Sequence, residues 1–332
     1  MDAPLWTDEY APAIADLPQA DMREYLSRAS AEPINLVLYG PRGVGKTAAA
    51  RALAREAHDD PDNDLVEINV ADFFSRTKKQ IRNDPRFEHF LAGRSRMSKR
   101  DMINHVLKES AAHPPMSGTY KTVLLDNAEE IREDFQQALR RVMEQYAQNT
   151  QFVIATRQPS KLIPPIKSRC FTVPMPAPTH AETVTALERV VDLAGVAYDD
   201  DGLEYVAGYA GGDLRKAVLG AQTAAEQADA VTMQAAYDAL GDIGVTGDVK
   251  EMLADAEAGE FSSARSALDD LLFSEGYSGD EVLQEILTAG RSKYNGRELA
   301  RLYQLAGEAD RDMAEGQKAR VHLSRLLAEL GA

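Results

Sequence analysis

Residues 34–47 read INLVLYGPRGVGKT: an apolar run of strand character, a full match to GxxxxGK[ST], and then an Ala- and Arg-rich stretch of helical character to about Ala57. Few sequences constrain a local fold so tightly. Gly40, Pro41, Arg42, Gly43, Val44, Gly45, Lys46 and Thr47 form a strand–loop–helix turn whose backbone N–H groups and helix N-terminus surround phosphates. Lys46 then reaches the β and γ oxygens, and the Thr47 hydroxyl is offered to Mg2+. ATP or GTP is the implied ligand, with Mg2+ as its companion.

A second ingredient stands in VLLDNAEE (123–130), where an apolar run ends on Asp126. A carboxylate there holds Mg2+ through water, and the two motifs together define a P-loop NTPase. Further apolar, unalternated runs at 65–70 (LVEINV), 121–126 (KTVLLD), 151–156 (QFVIAT) and 170–175 (CFTVPM) are separated by helical stretches. Strands of that kind belong in a parallel sheet covered on both faces. The expected fold is therefore an α/β P-loop NTPase domain over residues 1–175. Prolines in MPAPT (175–179) break the pattern, and a small helical lid follows over 176–242. Beyond the Gly-rich GDIGVTGD (241–248), residues 249–332 read as helices only, a third domain.

Charge narrows the setting. The chain of 332 residues carries 12 Lys and 25 Arg against 53 Asp and Glu, for a net charge of −16. That excess suits a protein kept soluble in concentrated salt, where self-repulsion is screened. No run of about 18 uncharged apolar residues and no basic start before an apolar core is present, so a cytoplasmic protein with no membrane partner is expected. The single cysteine, Cys170, builds neither an internal disulfide nor a metal site alone. The charge is also uneven. Residues 73–108 hold Arg76, Lys78, Lys79, Arg82, Arg86, Arg94, Arg96, Lys99, Arg100 and Lys108 against Asp84, Glu88 and Asp101, a local +7 that leaves −23 for the remainder.

Several stretches together resemble one family. LWTDEYAP near the start, GPRGVGKT, VLLDNAEE, QQALRRVMEQYA (136–147), PSKLIPPIKSRC (159–170) and GGDLRKAV (211–218) occur in the order found in small subunits of replication factor C. These are the loaders of the sliding DNA clamp within the AAA+ ATPases. The resemblance covers roughly residues 5–220, and the acidic helical third resembles the family's collar domain more loosely. It implies that Tyr10 and Pro12 lie near the adenine. It also implies that Arg169, in Ser168-Arg169-Cys170, is an arginine finger reaching a neighbouring subunit's γ-phosphate, and that Arg215 senses the γ-phosphate in cis. The implied partners are other clamp-loader subunits in a hetero-oligomer of five, the sliding clamp, and primer–template DNA.

Three departures from the family pattern bear on chemistry. Asn127 stands where most members carry the Glu that activates the lytic water. An amide hydrogen-bonds water but accepts no proton, a loss of typically ~10²–10⁴ in rate. Glu129 and Glu130 follow at once, yet both would have to point back to substitute. Arg157 replaces the usual Asn of the strand-end sensor, where it either contacts phosphate or turns to solvent. Third, about fifty residues separate the second and third strands, including a basic insertion at about 73–118. It would grip a nucleic-acid backbone, pair with acidic neighbours, or form a solvated helix face. The reading is a subunit that binds ATP·Mg2+, hydrolyses it weakly, and supplies Arg169 in trans. Its alternatives are a fully active DNA-dependent ATPase subunit and a structural subunit that binds no nucleotide.

Overall fold

The computed structural model describes residues 4–70, 77–82, 91, 97–116, 118–241, 245–274, 277–315 and 318–331. Two compact units divide the chain, residues 1–236 and 237–332.

The first unit is built on five parallel strands: β1 (Leu36–Tyr39), β2 (Leu65–Asn69), β3 (Lys121–Asp126), β4 (Thr150–Thr156) and β5 (Phe171–Pro174). Their order across the sheet is β2-β3-β4-β1-β5. Leu36 of β1 lies opposite Val153 of β4 and Phe171 of β5, while Leu65 pairs with Thr122 and Lys121 with Thr150. Because successive side chains point to opposite faces, each apolar strand supplies two cores at once. Val37, Val123, Leu125, Phe152 and Ile154 enter one core, whereas Leu36, Leu38, Leu124, Val153 and Ala155 enter the other. Helices α1 (Ala20–Ala31) and α2 (Lys46–Ala57) cover the second face with Met22, Leu26, Ala49 and Leu53. Helices α3 (Lys99–Ala112) and α4 (Glu133–Gln145) cover the first with Met102, Val106, Leu139 and Met143.

That packing revises part of the basic insertion. Residues 99–112 form a crossover helix whose Met102, Ile103, Val106, Leu107 and Ala111 are buried against the sheet. Lys108 stays exposed on its outer side, and Arg100 pairs with Asp134 at 3.1 Å. Ser98 caps the helix by accepting from the Asp101 N–H. Of the other basic residues, Lys78, Lys79 and Arg82 sit on a short helical turn, Lys78–Arg82. Arg76, Arg86, Arg94 and Arg96 lie outside the described residues.

Past β5 come α5 (His180–Ala194), α6 (Asp200–Ala210), α7 (Leu214–Ala228) and α8 (Met233–Gly241). Thr179 and Glu182 close a capping box on α5, and Asp199 and Asp213 cap α6 and α7 through the N–H groups of Gly202 and Lys216. Two-residue strands Ala197–Tyr198 and Ala230–Val231 pair in parallel between these helices, an element that helical periodicity does not announce.

The second unit is helical: α9 (Val245–Glu257), α10 (Phe261–Asp269), α11 (Gly279–Lys293), α12 (Gly296–Ala314) and α13 (Ala319–Leu330). Val249, Leu253, Leu268, Ile286, Leu302 and Leu323 fill its core. Helix α9 begins inside the Gly-rich stretch expected to be a boundary, because its apolar stripe at Val249, Met252 and Leu253 carries helical spacing back toward Val245. Arg320 holds Asp269 through two bonds of 2.5 Å. Among the described residues no helix is long and apolar enough to cross a membrane. No group of three or more His, Cys, Asp and Glu side chains among them is placed to hold a metal.

Candidate nucleotide site

The phosphate loop leaves the end of β1 and enters α2 through two glycines in left-handed conformation, Gly43 at φ 74° and Gly45 at φ 96°. Space also bars a side chain at Gly40 and crowds one at Gly43. A Cβ on Gly40 would fall 1.9 Å from the Met175 carbonyl oxygen, and one on Gly43 would fall 1.9 Å from the Asp213 carboxylate. Lys46 Nζ donates to the carbonyls of Gly40 (2.9 Å) and Pro41 (2.5 Å). Burial lowers its pKa, against the opposing pull of Glu129, Asp126 and Asp213 and with the help of Arg157. Thr47 Oγ1 donates to Asp126 Oδ2 at 2.9 Å, so the hydroxyl and the strand-end carboxylate converge from β3 and α2. Hard oxygen ligands set side by side, beside an ammonium and a loop with glycine at 40, 43 and 45, fit a triphosphate carrying Mg2+.

The lid helices are tied to this loop. The Leu214 N–H at the start of α7 donates to Gly43 O at 3.0 Å, which brings Arg215, exposed on the first turn, next to the cradle. The N-terminal segment is held from three directions. Arg189 of α5 reaches the Tyr10 carbonyl (3.1 Å) and pairs with Asp16 (3.0 Å), Arg55 of α2 reaches the Pro12 carbonyl (2.7 Å), and Gln222 of α7 accepts from the Trp6 N–H (2.9 Å). Tyr10 stacks edge-on against the buried Trp6. Tyr10 and Pro12 thus occupy a strap between α2 and the lid.

On the other flank of Asp126 the chain turns sharply. Asn127 adopts the left-handed conformation (φ 53°, ψ 45°), which Asn tolerates better than most residues. Its N–H donates to Asp126 Oδ1 and its amide to Asn69 Oδ1. The short helical turn that follows, Ala128–Glu130, swings Glu129 back toward the end of β4. Glu129 is 4% exposed and accepts from Thr156 Oγ1 (3.1 Å), the Arg157 N–H (3.0 Å) and Arg157 Nε (2.5 Å). Burial alone would raise its pKa, but the Arg157 and Thr156 hydrogen bonds prevail and the net shift is downward. Glu129 does point back, as a base in its place would have to, yet both oxygens are committed.

Arg169 is elsewhere. It sits just before β5, at the amino ends of the strands, and its carbonyl accepts from the Asn35 amide ahead of β1. The phosphate loop follows the opposite end of β1. Arg169 donates to the Pro165 carbonyl at 2.7 Å and pairs with Glu144 of α4, which also holds Arg140. Gln136 fastens α4 to the same segment through Lys161 O and the Ile163 N–H. Cys170 anchors it in the core, where burial pushes the thiol up to about 12 despite Arg169. Glu144 and Asp213 lie inside quoted stretches without being singled out there, and Gln222 lies outside them; only their spatial neighbours mark all three.

A parallel sheet in this order, a phosphate loop, a strand-end carboxylate and a helical lid define an AAA+ P-loop ATPase. A solved structure of the RuvB Holliday junction branch migration motor of Thermotoga maritima shares the fold at a TM-score of 0.50 and 17% identity, over 85% of this chain and 90% of that one. The family model for the delta subunit of DNA polymerase III matches residues 26–179, and that for the replication factor C C-terminal domain matches 246–329. The replication factor C small subunit of Thermofilum pendens is 31% identical over 99% of this chain and 97% of its own length. That of Halobacterium salinarum is 29% identical over 98% and 95%. The chain belongs to the replication factor C small-subunit family, the clamp-loader branch of the AAA+ class.

Proposed function

We propose that this chain binds ATP·Mg2+, hydrolyses it slowly at its own site, and serves a hetero-oligomeric clamp loader by lending Arg169 to a neighbour's nucleotide. The observation that carries this reading is an intact cradle beside a water-handling flank whose one described candidate carboxylate, Glu129, is already committed, the Glu130 side chain lying outside the described residues. Lys46, Thr47 and Asp126 converge, whereas Asn127 is an amide and Glu129 is bound three times over. Arg215, beside the cradle, is the cis sensor, and Tyr10 and Pro12 flank the base. The position of Arg169 at the amino ends of the strands supports action in trans, since an arginine finger there faces away from its own phosphate loop. Such a finger is worth ~10³–10⁵ in rate. The assembly is one of five subunits, and its remaining partners are the sliding clamp and primer–template DNA.

Two measurements test it. Equilibrium binding of an ATP analogue to the isolated chain should saturate, while single-turnover hydrolysis should run ~10²–10⁴ slower than in subunits with a carboxylate base. A rate equal to theirs overturns the weak-site reading. In the reconstituted assembly, Arg169→Ala should cut turnover by at least ~10³ at the adjacent site. Unchanged turnover removes the finger.

A further inference from the structure

Arg169 has to offer its outer nitrogens to a phosphate on another subunit, yet its own chain already engages both. Nη1 donates to the Pro165 carbonyl at 2.7 Å, with Ser168 Oγ as a weaker second acceptor at 3.4 Å, and Nη2 pairs with the Glu144 carboxylate on the last turn of α4. Those same N–H groups are the ones a guanidinium uses to meet phosphate bidentately. A carboxylate cannot stay beside an incoming phosphate, because the two anions repel. Glu144 must therefore let go before Arg169 can reach across.

The cluster around Glu144 is arranged for that exchange. Arg140, one turn earlier on α4, donates through Nε to the same oxygen, Glu144 Oε1, at 3.1 Å. Their (i, i+4) spacing keeps that pair together whatever Arg169 does. The Arg140 hydrogen bond is the foremost cause that holds the Glu144 carboxyl below its usual range, with Arg169 adding to it, so the group stays ionised. Arg169 is 33% exposed, Glu144 42% and Arg140 41%, and an ion pair so open to water holds weakly. The backbone need not follow, for Cys170 is packed against the core and Gln136 fastens α4 to the same segment. Only one side chain has to swing.

We propose that Glu144 is a latch on the arginine finger: it holds Arg169 on its own chain until the nucleotide of a neighbouring subunit displaces it, whereupon Arg140 keeps the carboxylate. This rests on the reading of Arg169 as a finger in trans. Glu144 and Arg140 are positioning residues that act through Arg169 and touch no nucleotide. They set how much of the neighbour's ATP is needed to draw the finger across, not the rate once it is in place. A subunit by itself thus presents other anions with a guanidinium that is already paired.

Turnover of the reconstituted assembly, titrated with ATP and Mg2+, tests the latch by separating the half-saturating concentration from the rate at saturation. Glu144→Gln keeps the shape and drops the charge. It should lower the half-saturating ATP concentration about 2- to 5-fold, the worth of one exposed ion pair, and leave the saturated rate within about 2-fold. Arg140→Ala should move it the other way, upward by about 2-fold, because Glu144 then has Arg169 alone. Opposite signs from two residues on one helix turn are not what a loss of packing produces. In an Arg169→Ala background both substitutions should be silent. A half-saturating concentration that stays put, or moves the same way in both variants, overturns the latch while the finger stands, and so does a Glu144→Gln assembly whose saturated rate falls, which would make Glu144 a support for the finger. If Arg169→Ala itself leaves turnover unchanged, the finger reading fails and the latch with it.

Discussion

Asp126, at the end of β3, has two sets of neighbours that differ in kind. On the phosphate-loop side, Thr47 bonds to it beside Lys46 in the arrangement any triphosphate cradle needs. On the water-handling side, the groups have changed: Asn127 bonds to Asn69 at the end of β2, and a buried Glu129 leashes Arg157 at the end of β4. On the function proposed above, holding a nucleotide and cleaving it fall to different side chains around Asp126. Retention of the first flank carries no information about the second.

The largest effect should come from breaking the phosphate-loop side. Lys46→Ala removes the charge-assisted bonds to phosphate and should weaken ATP analogue binding about 100-fold, measured by titration. Binding within a few-fold of wild type would mean that the two flanks are not divided as described. Next is the water-handling side. Asn127→Glu should raise single-turnover hydrolysis about 10-fold or more, with analogue affinity little changed. Part of the gain will be offset, because Glu is less at ease than Asn at φ 53° and the turn stores about 1 kcal/mol of strain, visible as a lower unfolding midpoint.

The smallest effect tests whether the contrast is confined to this end of the strand. Lys121 opens β3 at the opposite end and is 3% exposed, and burial lowers its pKa from 10.5 to about 8, with Asp64 opposing. The unfolded chain then binds the extra proton between about pH 8 and 10.5, so this residue's contribution to stability improves as pH rises through that window and is poorest below pH 8. Denaturant unfolding at pH 7.5 and 9.5 should show a wild-type gain at high pH that Lys121→Met lacks, by about 1–2 kcal/mol. Nucleotide affinity should be the same in both proteins.

Much of the fold was legible because its signals are local. GPRGVGKT names a loop and its two neighbours, and unalternated apolar strands announce a sheet covered on both faces, as Val37 against Leu36 and Leu38 bears out. The packed face of α3 was legible too, since Met102, Ile103, Val106 and Leu107 have helical spacing, but ten basic residues drew the eye to charge. What was not legible is pairing across distance in the chain. Glu129 meets Arg157 only because Asn127 turns the chain back, and Glu144 meets Arg169 only because α4 packs over the segment before β5. Asp213 and Gly43 lie 170 positions apart, and no spacing rule connects them.

The bond from Leu214 to Gly43 makes α7 a lever. Its fifteen residues span about 22 Å, with the fulcrum at the phosphate loop and Gln222, which grips the N-terminal strap, about 12 Å along the arm. A tilt of about 5° at the loop, too slight to break a hydrogen bond, carries the far end through about 2 Å. A loop movement that tilted α7 would thus be amplified along the lid, and the strap would travel with it.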